Sequence, residues 1–126
     1  MTSRWAIDGL LHLRGEASLD DVLPLCTSPS QEARAAVFDR LPCWLMAMSA
    51  ARSGCIQPEN QDRLRAAALC ALNDDDRTVR GNAASLLGEV GDATALSALR
   101  KSLKKESYWL NEQIIGKAIE RLEGRS

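Results

Sequence analysis

Leu72-Asn-Asp-Asp-Asp-Arg-Thr-Val79-Arg80-Gly-Asn-Ala83-Ala84-Ser-Leu-Leu87-Gly88-Glu-Val-Gly91-Asp92 is one unit of a pattern that returns thirty-one residues further on without a gap. Leu72 falls on Leu103, Val79 on Leu110, Ala83 and Ala84 on Ile114 and Ile115, and Leu87 on Ala118. A fixed period of this length is the mark of stacked helical hairpins, in which each unit hides its apolar face only against its neighbours. Leu64 to Leu72 reads as a first helix, Asn73 to Asp76 as the turn, and Val79 to Val90 as a second helix closed by Gly91. The acidic run suits a helix N-terminus, where carboxylates cap free amides and oppose the dipole. A calcium loop would instead need ligands alternating over about twelve residues.

The next unit opens with Asp92 as a cap and carries Ala95, Leu96, Leu99 and Leu103 on one stripe. Lys104 to Ser107 makes its turn. Its second helix places Leu110, Ile114, Ile115, Ala118, Ile119 and Leu122 on one face, and Gly124 is expected to end it. Upstream, a shift of forty-six residues recovers a third copy, with Cys26 for Leu72, Arg34 for Arg80, and Val37-Phe38 for Ala83-Ala84. The fifteen extra residues lie between Pro42 and Gln57, where Cys43 to Met48, including Trp44, extends or follows the second helix. Ser53-Gly54 and Pro58 bound the loop beyond. Arg4 to Leu13 reads as a lone second helix. The expectation is one all-α domain over residues 1–126, with about seven helices: one N-terminal helix, then hairpins at about 17–55, 58–91 and 92–123. No segment shows the two-residue alternation of a strand.

Composition agrees with that class. Apolar residues form 45% of the 126-residue chain and aromatics only 4%, and Leu and Ala, both good helix formers, carry the apolar share. Lys and Arg number 16 against 17 Asp and Glu, so no overall field draws nucleic acid or an anionic membrane. No apolar run reaches membrane-spanning length, and Asp8 interrupts any signal-peptide core, so a soluble cytoplasmic protein is expected. Cys26, Cys43, Cys55 and Cys70 lack a Cys-x-x-Cys pair and read as structural thiols buried like small hydrophobes, with no metal expected.

The unit from Leu72 to Asp92 resembles a HEAT repeat of the short phycobilisome-lyase type: an acidic turn, Val79-Arg80, the paired Ala83-Ala84, Leu87-Gly88, and Gly91-Asp92. The flanking units depart from that pattern, with Asn111 in place of Arg and Pro42 in place of Gly. The resemblance covers about four-fifths of the chain. It implies a right-handed α-solenoid whose second helices line a concave surface that binds other proteins. It does not imply lyase chemistry. In such repeats the Arg pairs with a turn Asp, which assigns Arg80 to Asp76 at i−4; Arg34 has no acid at i−4 and is expected to be freer for a partner.

Catalysis finds little support. The sole histidine, His12, reads as structural, no Gly-rich phosphate loop occurs, and no Ser or Cys sits with a His and an acid in a suggestive setting. No enzyme activity and no cofactor are expected. The basic cluster Arg100-Lys101 and Lys104-Lys105 falls at a helix C-terminus, where the dipole favours cations, which counts against DNA binding. Of the aromatics, Phe38 belongs to the core, whereas adjacent Tyr108 and Trp109 cannot both face it. One of them is expected to be exposed, as an anchor for a partner; the alternative is that both fold over the open end of the stack. Aromatics and Arg are enriched among binding hot spots, so the expected partner surface comprises Arg34, Trp44, Arg77, Arg80, Tyr108, Trp109, Asn111 and Glu112. The function that follows is a non-enzymatic module binding another protein. Alternatives are a bacterial immunity protein that neutralises a toxin, a chromophore-lyase-like subunit, and a HEAT-like nucleic-acid-binding protein.

Overall fold

A computed structural model describes residues 4–50 and 57–125, without the side chains of Arg4, Trp5, Asp8, His12, Arg125 and residues 46–50. The expectations for His12 and Cys55, and for the Ser53-Gly54 break, lie outside this description. The described residues form seven α-helices: α1 Arg4–Arg14, α2 Leu19–Val22, α3 Gln31–Ala50, α4 Pro58–Ala71, α5 Arg77–Val90, α6 Ala93–Lys105 and α7 Trp109–Arg125. Among the described residues there is no strand. The chain is an all-α, HEAT-like solenoid.

The helices form two layers. Helices α1, α3, α5 and α7 pack in that order as one layer, and the segment before α3, then α4 and α6, forms the other. Helix α5 is central, touching α3, α4 and α7. Small residues set its close approach: Ala83 and Ala84 are fully buried, and a Cβ on Gly88 would lie 3.4 Å from that of Ala118. Phe38, Leu41, Leu64, Leu86, Leu87, Leu99 and Ile115 complete a continuous core between the layers.

Several local expectations meet their physical cause. Asp76 caps α5 by accepting from the Thr78 amide at 2.8 Å, and Asp92 caps α6 by accepting from Ala95 at 3.1 Å. Gly91 ends α5, where a side chain would press on Leu122 at 2.9 Å. The inserted residues extend α3, which runs unbroken through Pro42 to a length of 20 residues. Pro42 has no N–H to give the Phe38 carbonyl.

Other expectations are corrected. The first hairpin has no regular first helix. Gly15 adopts a left-handed φ of 57°, and two 3-10 turns, Gly15–Ser18 and Leu23–Thr27, flank the four-residue α2. Local acceptors compete there with the helix: Ser18 Oγ donates to the Gly15 carbonyl at 2.7 Å, and Thr27 Oγ1 to that of Pro24 at 3.4 Å. Helix α4 starts at Pro58, which suits the first helical position, rather than near Leu64, and α7 runs past Gly124 to Arg125. Leu103 and Leu110, expected on buried stripes, are 36% and 39% exposed. Of the three described cysteines only Cys26 is buried, its thiol pushed up to about 12 by desolvation; Cys43 and Cys70 are exposed.

Candidate protein-binding site at the turn edge

The turns between paired helices line up along one edge of the stack, and arginines join them. Arg80, in the first turn of α5, forks its Nε and Nη2 onto the two Glu106 oxygens at 3.1 Å each. Its Nη1 donates to the carbonyls of Asp74 and Asp75 at 3.0 and 3.1 Å. One guanidinium therefore closes its own turn and grips the next. Arg34 repeats the arrangement one unit earlier. Its Nε and Nη2 reach Asp74 at 2.8 and 3.3 Å, and Nη1 donates to the Ser28 and Pro29 carbonyls at 2.8 and 3.4 Å. Both acids also cap the backbone two residues on, Asp74 accepting from the Asp76 amide at 2.9 Å and Glu106 from the Tyr108 amide at 3.3 Å.

This geometry overturns two readings. Arg80 pairs with Glu106 rather than with Asp76, whose carboxylate caps α5 and accepts from Gln31 Nε2 at 2.8 Å. Arg34 is committed to Asp74 rather than free for a partner. The charge states follow. Hydrogen bonding to Glu106 holds the Arg80 guanidinium above its usual value, and the same bond holds Glu106 below the ordinary 4.5. For Asp76, burial opposes ionisation, but hydrogen bonds from Gln31 and Thr78 outweigh it and its pKa is lowered. Bidentate pairing of this kind is geometrically specific as well as favourable.

In the last unit the arginine position is Asn111. It is only 2% exposed and points back, donating to the Arg77 carbonyl at 2.9 Å. Gly81 leaves room for it, since any Cβ there would collide with the Asn111 Oδ1. Trp44, at 5% exposure, is a core residue of α3. Four of the eight expected partner residues are thus engaged inside the stack.

The other four share one surface. The Arg77 guanidinium lies 4.4 Å from the centre of the Tyr108 ring, a cation–π contact. Tyr108 meets Trp109 edge to face with ring centres 6.3 Å apart. Trp109 is 62% exposed, and Glu112 is exposed in the same first turn of α7. Trp109 is thus the open member of the pair and Tyr108 the half-covered one. A polar cleft of about 330 Å³ runs beside Arg80, between the 72–75 and 102–107 segments. Among the described residues no cluster of His, Cys, Asp and Glu could hold a metal ion, and no described helix is long and apolar enough to cross a membrane.

The pattern that defines HEAT repeats matches residues 45–120, more than half of the chain. The chain belongs to the HEAT repeat family. No curated protein and no solved structure matches it. HEAT repeats commonly mediate protein–protein interaction and are typically non-enzymatic scaffolds. In this HEAT protein, reasoning from sequence missed the partner of each arginine because it searched within the unit. The signal was present in the following turn, where Asp74 and Glu106 each stand two residues ahead of the residue whose amide they cap.

Proposed function

We propose that this HEAT protein is a non-catalytic protein-binding module whose contact surface centres on Trp109, with Arg77, Tyr108 and Glu112 around it. The observation that carries this reading is the exposure of Trp109 beside an Arg77–Tyr108 stack. Large rigid aromatics and arginine dominate binding energy because they bury much area and lose little freedom. Here the Tyr108 ring holds the Arg77 side chain in place before any partner arrives. Arg34, Arg80 and Asn111 support that surface from within the stack. A small stack of this kind also suits an inhibitor that occludes a toxin, the finer form of the same reading; its mark would be a host toxin neutralised by the wild-type chain and not by a Trp109 variant.

The test is affinity capture from host extract with the wild type, Trp109→Ala and Arg77→Ala. Truncating a hot-spot residue costs about 2 kcal/mol, roughly thirtyfold in affinity, so a specific protein should be retained by the wild type and lost from Trp109→Ala. The urea midpoint should stay unchanged in both variants. Retention of the same partner by Trp109→Ala would remove this surface from consideration, and recovery of nucleic acid or pigment in place of protein would remove the reading itself.

A further inference from the structure

The last hairpin leaves open a surface that earlier hairpins keep covered. Leu103 and Leu110 fall in register on Leu72 and Val79 of the central unit, and on Cys26 and Ala33 of the first. Those four are 5%, 0%, 7% and 6% exposed. The 102–107 segment of the third hairpin borders Leu72 across the turn-edge cleft. Leu103 and Leu110, by contrast, are 36% and 39% exposed. Trp109, next to Leu110 in the chain, adds a further exposed apolar side chain at 62%.

Two observations say what fits there. Asn111 replaces the arginine that would grip a following turn, so an occupant is not held as the internal hairpins are held. The charge around Leu103 is also one-sided. Lys101, Lys104 and Lys105 are exposed on its helix, and Arg77 is exposed over Tyr108 in the turn that follows. The adjacent acid, Glu106, is taken by Arg80, which leaves Asp75 and Glu112 as the exposed acids of this tip.

We propose that the tip of the third hairpin docks an amphipathic helix of a partner protein, its apolar stripe covering Leu103, Trp109 and Leu110 and its flanks acidic. The inference rests on the protein-binding reading and names the form of the partner. An apolar helical stripe supplies the packing that Leu72 and Val79 receive internally. Acidic flanks meet the lysines and favour encounter, while basic flanks are rejected.

Two labelled peptides test it against the full chain. Both carry the α7 sequence with its inward residues Ile115, Ala118 and Leu122. One has Lys117→Glu and Arg121→Glu, the other Glu112→Lys and Glu120→Lys. The acidic peptide should bind at least about tenfold more tightly, with a salt-dependent affinity, and should lose most of that affinity when the protein carries Leu103→Glu with Leu110→Glu. Circular dichroism should show this double variant folded, since both positions are partly exposed. Equal binding of the two peptides, or indifference to the double variant, would overturn the proposal. So would a dimer in sedimentation that Leu110→Glu dissolves, which would assign the surface to a second copy. A photo-crosslinker at the exposed position 107, with Trp109 left in place, separates the two levels. Capture of a protein that survives the double variant removes the helix proposal and leaves protein binding standing; no capture removes both.

Discussion

The central unit, α4–α5, and the terminal unit, α6–α7, follow the same repeat, yet they spend equivalent residues differently. In the central unit Leu72 and Val79 are buried and Arg80 grips the next turn. In the terminal unit Leu103 and Leu110 surface, and Asn111 turns inward to the Arg77 carbonyl. A repeat position thus has no fixed role of its own; its role depends on what packs against it. Binding residues are then to be sought where the pattern continues but its internal partner is absent.

The largest expected effect sets the two units against each other directly. Leu72→Ala should cost about 3 kcal/mol, as large-to-small changes at buried leucines do, whereas Leu103→Ala should cost less than about 1. Urea unfolding of both variants checks this, and equal losses would mean that the terminal unit is as well covered as the central one. Next comes the arginine grip. Arg80→Ala leaves the Glu106 carboxylate, only 4% exposed, without its arginine and should cost about 2 kcal/mol; Asn111→Ala, which forfeits the bond to the Arg77 carbonyl and one to Glu106, should cost about 1.

The comparison sharpens with pH. Glu106 has a folded pKa below its ordinary 4.5, so its pair with Arg80 contributes stability above that value, and the contribution fades as pH falls through the lowered folded pKa. Glu106→Gln should therefore be less stable than the wild type near neutrality and should lose less on acidification, by urea midpoints taken from about pH 6 down to about pH 2. Identical slopes would show that the pair does not hold the terminal unit. The smallest effect is chemical: Cys43 and Cys70 should react with a thiol reagent in the native protein while Cys26 reacts only on unfolding, read by mass spectrometry.

Much of the fold was legible because its causes are local or periodic. Asp76 and Asp92 cap helices by contacts two or three residues away, Ala83 and Ala84 mark a close helix crossing, and the thirty-one-residue period sets the stacking. The irregular 15–27 segment was less legible, because side-chain hydroxyls and Pro24 compete with a helix there. The site was only partly readable. Adjacent Tyr108 and Trp109 required at least one to leave the core, and Trp109 is exposed. The fates of Arg34, Arg80 and Asn111 depend on contacts between units, with partners twenty-six to forty positions away. Trp44 was read as a departure from the pattern, but the extended α3 simply buries it.

The arginine grips also link end to end. Glu106 accepts from the Tyr108 amide and from Arg80, Arg80 reaches the Asp74 carbonyl, and the Asp74 carboxylate holds Arg34, which ends on the Ser28 carbonyl. One line of hydrogen bonds therefore ties all three turns. Apolar contacts are non-directional and would tolerate a small slip between hairpins, whereas forked guanidinium pairs would not. The turn edge acts as a ratchet for register: to slide one hairpin along the next, the chain must first break a bidentate ion pair.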